Sequence, residues 1–171
     1  MPAETVIEEK PSRPMKFELW MIGKTAEPWI EDGMSQYEKR LKHYVPYERV
    51  VIPDVRNTRN RSALQFKEAE GQTVLERLEA RDYLILWDEQ GKLYDSVAFS
   101  ERIQAFMNQG HKRVVWLIGG AYGFSDAVYA RAQAKIALSP MTFSHQMVRT
   151  VVLEQLYRAM TILRGEPYHN S

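Results

Sequence analysis

The residues best suited to chemistry follow a short apolar run in the second half of the chain. Val114 to Ile118 are all apolar, which predicts a strand buried on both faces. Gly119 and Gly120 follow at once, and Gly123 comes shortly after them. Glycines at the carboxyl end of a buried strand let backbone N–H and C=O groups approach a ligand closely. This turn therefore predicts one wall of a ligand pocket.

A second segment of the same kind comes soon afterwards. The run from Lys135 to Ser139 predicts a short strand, which continues into Pro140-Met-Thr-Phe-Ser-His145 and then a long apolar helix. Because two strand ends with ligand-compatible loops lie so close in sequence, we expect them to share one pocket. A pocket of backbone groups and apolar walls is typical of an adenosine-type ligand.

Several common chemistries are excluded by what the sequence lacks. The chain has no cysteine and only four histidines, so disulfides and zinc–thiolate sites are impossible and a metal site is not expected. The glycine turn has the spacing Gly-Gly-x-x-Gly and does not end in Gly-Lys-Ser/Thr, so it matches neither the dinucleotide nor the phosphate-loop pattern. There is also no Gly-x-Ser-x-Gly nucleophile motif.

Length and composition indicate an ordinary globular domain of 171 residues with a net charge of +1. No apolar run is long enough to span a bilayer, and no signal peptide is recognisable, so we expect a cytoplasmic protein. Residues 1–14 carry three prolines and three glutamates without an aromatic residue. They predict a disordered extension, or an upstream start, before a folded domain at residues 15–171.

The rest of the chain alternates between predicted strands and helices. Strands are predicted at Lys16–Ile22, Tyr47–Ile52, Tyr83–Trp87, Val114–Ile118 and Lys135–Ser139, and helices begin near Pro28, Ser62, Ser96, Ser125 and Gln146. Ser62 and Gln65 have the spacing of a capping box. Gly71 is expected to interrupt the second helix. Five alternations predict a mostly parallel α/β sheet with helices on both faces.

The final helix, from about Gln146 to Leu163, is apolar on nearly every side. A helix that packs against one sheet needs only an apolar stripe. The excess predicts a second packing partner, most simply another copy of the chain in a homodimer. The alternative is a helix buried centrally within its own fold.

Two basic clusters stand out against the near-neutral net charge. The cluster from Lys39 to His43 predicts a solvated helix face. Arg56, Arg59 and Arg61 lie in a polar loop without acidic residues, where they suit contact with RNA or phosphate. The alternative for this loop is a solvated surface.

Taken together, the motifs resemble one known family. They are Leu-Ile-Gly-Gly-x-x-Gly, then Leu138-Ser-Pro-Met-Thr-Phe143, then His145-Gln-Met-Val-Arg149, then Glu154-Gln-Leu-Tyr157-Arg158-Ala159, and a terminal Pro167-Tyr168-His169. In this order they are similar to the SPOUT methyltransferases, within them to the large-subunit ribosomal RNA methyltransferase H group. The resemblance extends from Met15 to the C-terminus.

The resemblance implies an α/β fold with a C-terminal trefoil knot and a homodimer that binds S-adenosylmethionine. It implies methyl transfer to N3 of a pseudouridine in the decoding-centre helix of 23S rRNA, on assembled ribosomes. The implied cofactor residues are Trp87, Gly119, Gly120, Leu138, Ser139, Pro140, Met141, Thr142 and Phe143. The family more typically has a leucine at Trp87, whose alternative role is that of a core aromatic.

An imide N3–H must lose its proton, which calls for a base or for hydrogen-bond donors that stabilise the anion. The catalytic candidates are His145, Arg149, Tyr168 and His169, and the candidates for RNA contact are Glu154, Tyr157, Arg158 and the three loop arginines. His145 has a structural histidine as its alternative, and Arg149 is expected to pair with an acid or to bind RNA phosphate. Tyr157 and Arg158 are expected on different sides of their helix. The alternative for the Tyr168-His169 tail is disorder.

The sequence therefore predicts an S-adenosylmethionine-dependent rRNA methyltransferase without a metal. Two alternatives stay open at this level: a non-catalytic RNA- or ribosome-binding module of the same fold, and a methyltransferase that acts on tRNA. The identity of the general base also stays open.

Overall fold

The computed structural model describes residues 14–56 and 60–170. The predicted disordered extension, apart from Pro14, and Arg59 of the arginine loop lie outside these residues. Ten elements alternate along the described chain: β1 (Lys16–Ile22), α1 (Pro28–Leu41), β2 (Tyr47–Ile52), α2 (Ala63–Arg77), β3 (Tyr83–Leu93), α3 (Ser96–Asn108), β4 (Arg113–Ile118), α4 (Asp126–Arg131), β5 (Ala134–Ala137) and α5 (Met147–Leu163). This order confirms the predicted five-fold alternation of strand and helix.

The five strands form one parallel sheet in the order β2-β1-β4-β3-β5. β4 is the central strand, and its residues alternate between the two faces of the sheet. Val114, Trp116 and Ile118 join the core beneath α1, α3 and α5, whereas Val115 and Leu117 join the core beneath α2 and α4. Both cores need apolar side chains, which is why this strand is a continuous apolar run.

The second helix is not interrupted at Gly71, contrary to the expectation from helix propensity. α2 is continuous from Ala63 to Arg77, and its N-terminus has the predicted capping box between Ser62 and Gln65. Gly71 is buried, and a Cβ there would collide with the Ser125 side chain at the start of α4. The glycine therefore permits close packing of two helices, and tertiary contact outweighs the propensity cost of about 1 kcal/mol.

Three other boundaries differ from the predicted ones. β5 ends at Ala137, so Leu138 and Ser139 belong to the loop that follows it. Asp95, not Ser96, caps α3, because its carboxylate accepts a hydrogen bond from the Ala98 N–H at 2.8 Å. β3 continues to Leu93, past a register shift in its pairing with β5. Gly91 makes this extension possible, since a Cβ there would lie 2.6 Å from the backbone nitrogen of Ile136.

The final helix is buried mainly by its own chain. α5 lies on one face of the sheet and packs against α1 on one side and α3 on the other. Val152, Leu153 and Leu156 are fully buried there. The central burial that we considered as an alternative thus accounts for most of the apolar surface of this helix. Within the described residues, no helix is long and apolar enough to cross a membrane.

Candidate active site

A cavity of about 540 Å³ opens at the carboxyl ends of β4 and β5, beside Trp87 to Gln90 in the second half of β3. Ligands of parallel α/β sheets bind at this edge, because loops from neighbouring strands converge there. Its walls include predicted cofactor residues from three separate segments, namely Trp87, Gly119, Gly120, Leu138, Ser139, Met141, Thr142 and Phe143. Pro140 belongs to the same loop but does not line the cavity. The structure thus brings the two predicted loops together around one space.

The glycine turn after β4 forms the floor of the cavity. The Gly123 N–H donates to the Gly120 carbonyl at 3.2 Å, and Gly123 has a φ of 81°, which is unfavourable for other residues. A Cβ on Gly119 would lie 3.2 Å from the ring of Phe124. The Ser125 hydroxyl then caps α4 by accepting a hydrogen bond from the Val128 N–H. The turn therefore leaves no room for a side chain at Gly119 without a shift of Phe124. It is closed by the hydrogen bond between Gly123 and Gly120 and is followed directly by the capped start of α4.

The loop from Leu138 to His145 forms the opposite wall. The Ser139 hydroxyl accepts a hydrogen bond from the Met141 N–H at 3.0 Å, which folds the loop back on itself. The Thr142 hydroxyl donates to the Glu89 carboxylate, so the loop is also tied to the far part of β3. Met141 is 75% exposed and therefore presents an unpaired apolar surface at the mouth of the cavity.

Trp87 connects the cavity to the core. Its ring stacks on that of Trp116 with centroids 5.7 Å apart, and only 7% of the residue is exposed. Among the described residues its indole N–H has no hydrogen-bond partner. Trp87 thus has both roles considered for it: it is a core aromatic, and it also lines the cavity.

The charged lining of the cavity is mainly acidic. Asp88, Glu89 and Asp126 line it, and Lys67 of α2 is the lysine on its wall. Asp88 accepts a hydrogen bond from the Tyr129 hydroxyl at 2.5 Å. Burial, with this hydrogen bond, raises the pKa of Tyr129, so its hydroxyl stays protonated and acts as a donor. Such a lining favours cationic or neutral ligands over phosphate.

Among the predicted catalytic residues, His145 is the one that lines the cavity. It precedes α5, and its side chain is exposed. No hydrogen bond holds its imidazole within residues 14–56 and 60–170, although its backbone carbonyl accepts one from Arg149. The ring is therefore accessible to a ligand in the cavity.

Arg149 has a different environment from the one expected. Only 1% of it is exposed, and its guanidinium donates to the carbonyl oxygens of Ile22 at 2.7 Å and Gly23 at 3.0 Å. It also donates to the Thr25 hydroxyl and the His145 carbonyl. The expectation of an acid partner is wrong for the described part of the chain, where Arg149 forms no ion pair. Burial lowers its pKa, and its contacts join α5 to the end of β1.

The C-terminal tail is ordered as far as Asn170 and packs on α5, so disorder does not describe Tyr168 and His169. The Tyr168 hydroxyl donates to Glu154 at 3.1 Å, and His169 Nδ1 lies 3.2 Å from a guanidinium nitrogen of Arg158. Tyr157 packs edge-on against Tyr168 with centroids 4.7 Å apart. The tail thus contacts both Tyr157 and Arg158, and neither of these two residues lines the cavity.

This tail cluster does not line the cavity of its own chain. Burial raises the pKa of Tyr168, and hydrogen bonds with Tyr37 and Glu154 raise it further, so its hydroxyl is a donor at neutral pH. Glu154 also accepts hydrogen bonds from Arg158. A molecule that contacts these residues therefore binds where the tail packs on α5, away from the cavity of the same chain.

Arg56 and Arg61 are exposed in the segment that precedes α2.

Sequence reasoning overlooked three neighbours of the cavity, all identifiable only from the fold: Tyr122 at the tip of the glycine turn, Lys67, and Glu70. A Glu70 oxygen is buried without a hydrogen-bond partner in the described structure, and it would lie 2.8 Å from a Cβ on Gly120. Burial, and then Asp54, raise the pKa of Glu70. No group of three or more potential metal ligands occurs among the described residues.

Fold and site together define an α/β protein with a nucleoside-sized cavity at the carboxyl edge of a parallel sheet. Comparison with known proteins gives the family. A family model described as "Predicted SPOUT methyltransferase" matches residues 15–169. The chain belongs to the SPOUT methyltransferase family. This membership and the parallel sheet confirm the predicted fold class, an α/β fold with a C-terminal trefoil knot.

Curated relatives share about half of their residues with this chain. Ribosomal RNA large subunit methyltransferase H of Cytophaga hutchinsonii is 53% identical over 156 residues, which are 91% of this chain and 100% of the relative. The proteins of the same name from Flavobacterium johnsoniae and Parabacteroides distasonis are 51% and 50% identical, each over 91% of this chain and 99% of the relative. The SpoU methyltransferase AviRb of Streptomyces viridochromogenes, solved in complex with AdoMet, is 15% identical with a TM-score of 0.47 over 92% of this chain and 62% of that one, a similarity too low to bear on function.

Proposed function

We propose that this protein transfers a methyl group from S-adenosylmethionine to the large-subunit ribosomal RNA. The observation that carries the proposal is the cavity between the glycine turn and the 138–145 loop, in a chain half identical to relatives named for that activity over almost their whole length. The names of these relatives also favour rRNA over tRNA as the substrate. Family membership as a methyltransferase disfavours the non-catalytic module.

The cavity suits the cofactor in size, walls and charge. A volume of about 540 Å³ falls within the range of small-molecule sites, roughly 300–1,000 Å³. Trp87, Ile118 and Leu138 supply apolar walls, and the glycine turn exposes backbone groups to a purine. The carboxylates of the lining suit a sulfonium cation better than an anion. When bound there, S-adenosylmethionine would supply an electrophilic methyl group.

We assign the acceptor to N3 of a pseudouridine in the decoding-centre helix of 23S rRNA. The lone pair of an imide nitrogen is delocalised into two carbonyl groups, so N3 is a poor nucleophile and must lose its proton as the new N–C bond forms. His145 lines the cavity with an accessible ring, and in its neutral form it can accept that proton. The remaining work of the chain is to hold donor and acceptor in line.

We also propose that the active form is a homodimer. Trp29 at the start of α1 is 60% exposed, and Met147 at the start of α5 is 46% exposed. These two helix starts are adjacent, because the Gln146 side chain accepts a hydrogen bond from the Ala26 N–H at 2.9 Å. Met141 and Phe143 extend the exposed apolar surface to the cavity mouth. We call these four residues the apolar patch.

A second copy would also give the tail cluster a role. Tyr168, His169, Arg158 and Glu154 offer donors and charge but do not line the cavity of their own chain. On a partner, the same groups can approach a neighbouring cavity and its RNA. In this scheme the loop arginines Arg56, Arg59 and Arg61 bind phosphate, the substrate is the assembled ribosome, and the protein acts in the cytoplasm.

Radiolabel transfer from S-adenosylmethionine tests the proposal. Ribosomes that lack the modification, free 23S rRNA and tRNA are incubated separately with the protein, and labelled nucleotides are identified after digestion. We expect label on one pseudouridine of the large subunit, with ribosomes as the best substrate. Label on tRNA alone would refute the proposed substrate, and no cofactor binding by calorimetry would refute the proposed reaction.

A further inference from the structure

An exposed aromatic pair lies at the mouth of the cavity. Tyr122 sits at the tip of the glycine turn, lines the cavity and is 51% exposed. Its ring stacks on Phe66 of α2, with centroids 5.6 Å apart and planes inclined by 21°. Phe66 packs against the Tyr122 ring, and about half of the Tyr122 surface nevertheless stays exposed. We call this pair the aromatic platform.

The platform is held in place from both sides. The turn beneath Tyr122 is closed by the hydrogen bond from Gly123 N–H to the Gly120 carbonyl, and Phe66 lies in the first turns of α2 just after its capping box. An aromatic ring fixed in this way loses little conformational freedom when another ring stacks on it. The platform is therefore preorganised for a planar ligand.

The charges around the platform identify the kind of ligand. Lys67 follows Phe66 directly and lines the cavity, and Arg61 lies just before the start of α2. Asp88 and the exposed Asp126 also line the cavity, and their carboxylates disfavour a phosphate beside them. Lys67 and Arg61 attract the phosphates of an RNA chain whose uncharged base lies at the cavity. Aromatic rings beside basic side chains are the combination that binds unpaired nucleotides.

We infer that the aromatic platform of Tyr122 and Phe66 stacks an unpaired nucleobase of the RNA substrate at the entrance to the methyl-transfer cavity. The inference rests on the proposed function, since it assigns RNA as the substrate of this cavity. Lys67 contacts the phosphate of the stacked nucleotide. Tyr122 thereby positions the RNA and takes no part in the proton transfer.

Steady-state kinetics with ribosomes that lack the modification test the inference. Tyr122→Ala should raise the KM for ribosomes by about 10-fold, since one base–aromatic stack typically contributes that much or more to binding. The kcat at saturating ribosomes and the affinity for S-adenosylmethionine, measured by calorimetry, should stay at wild-type values. Tyr122→Phe keeps the ring and should restore the KM. Leu64→Ala, which removes a 57% exposed side chain from the same helix, is the matched surface control.

Either of two kinetic results would overturn the inference: an unchanged KM in Tyr122→Ala, or a KM that rises together with a loss of cofactor affinity. A second assay needs no methyl transfer and so separates this inference from the proposed reaction. Fluorescence of a short single-stranded RNA that contains 2-aminopurine should be quenched by the wild-type protein and less by Tyr122→Ala. Equal quenching by both proteins, or none by the wild type, would reject the platform.

Discussion

His145 and Arg149 lie four positions apart in the sequence, yet the fold gives their side chains different environments. The His145 ring faces the cavity without a hydrogen bond in the described structure, whereas the Arg149 guanidinium is buried among backbone carbonyls. A group that exchanges a proton with substrate must be accessible, and a group that satisfies buried carbonyls must not be. We therefore assign proton transfer to His145 and loop positioning to Arg149.

His145→Ala should lower kcat for methyl transfer about 10²- to 10⁴-fold, the usual contribution of a general base. Cofactor affinity should change little, because the apolar walls and the glycine turn remain. The measurement is label transfer to ribosomes under saturating conditions, with calorimetry for S-adenosylmethionine. His43→Ala removes an exposed histidine near the end of α1 and serves as control. A His145→Ala protein with wild-type kcat would show that another group takes the proton.

Glu70 is a second residue whose environment matters more than its type. Burial raises its pKa above the ordinary value, and the negative charge of Asp54 raises it further. The folded state therefore favours the protonated carboxyl, and ionisation at neutral pH lowers the free energy of unfolding. The free energy of unfolding is therefore higher at low pH, where Glu70 is protonated. This extra stability is lost as the pH rises through the folded-state pKa of Glu70.

Glu70→Gln should accordingly raise the melting temperature at pH 7. The gain should shrink as the pH falls towards the ordinary pKa of a glutamate, because the wild-type carboxyl is then protonated as well. Thermal unfolding followed by circular dichroism over this pH range measures the difference. Glu76→Gln, an exposed position on the same helix, is the control. A gain that is constant with pH would exclude ionisation as its cause.

At the scale of the elements, the cavity depends on two close contacts between segments. Arg149 joins the start of α5 to the end of β1, through carbonyls that are distant in sequence. Gly91 allows the far part of β3 to lie against the backbone of β5 at Ile136. The first contact fixes the loop that carries His145, and the second fixes the wall formed by Ile136 and Leu138.

Arg149→Met should lower the free energy of unfolding by about 3 kcal/mol, because a buried carbonyl left without a donor costs ~1–3 kcal/mol. Arg149→Lys should recover part of this loss, since an ammonium can replace some of the hydrogen bonds but not all of them. Urea unfolding measures both variants. Arg77→Met, at an exposed position near the end of α2, should be close to wild type. Equal stability of Arg149→Met and Arg77→Met would contradict the assignment.

Gly91→Ala should lower both stability and cofactor affinity. Its Cβ would lie 2.6 Å from the Ile136 nitrogen, so β5 must move away from β3, at a cost of roughly 1–3 kcal/mol for overpacking. The comparison is Gly110→Ala, whose Cβ would meet no atom within 4 Å but whose φ of 73° is unfavourable for alanine. Gly110→Ala should lose stability alone. Cofactor affinity that is unchanged in Gly91→Ala would show that the cavity wall does not follow β5.

At the scale of the whole molecule, the remaining question is how a protein with a net charge of +1 and an acidic cavity binds RNA. Lys67 lines the cavity, Arg56 and Arg61 are exposed in the segment before α2, and the tail cluster packs on α5. We propose that a homodimer brings both sets near one cavity, with the apolar patch as its contact surface. Because α5 is buried by α1 and α3, its apolar surface does not require a second copy, and the apolar patch is the surface that remains for one.

The double substitution Trp29→Glu with Met147→Glu should produce a folded monomer, because charges in the patch oppose its burial against a second copy. Sedimentation velocity should show the dimer for the wild type and the monomer for the variant. The monomer should lose methyl transfer to ribosomes. Val97→Glu changes a 45% exposed apolar residue on α3 and should remain dimeric. A monomeric wild type would refute the homodimer.

The sequence by itself determined the elements of the fold and their class. Burial on a strand or a helix follows a short local period, so the apolar runs of β4 and β1 and the capping box of α2 were readable directly. The order of motifs was enough to indicate the SPOUT family. The two loops predicted to share a pocket do meet at one cavity, because the carboxyl ends of parallel strands lie at one edge of a sheet.

Only the tertiary structure decided which residues meet across that edge. The partners of Arg149 lie more than 120 positions away, at Ile22 and Gly23. The stacking of Tyr122 on Phe66 and the docking of Tyr168 on α5 join separate segments in the same way. A side chain's contacts depend on how whole elements pack, and no local period encodes that packing. The contacts of each candidate residue were therefore set by the fold, although its type was visible in the sequence.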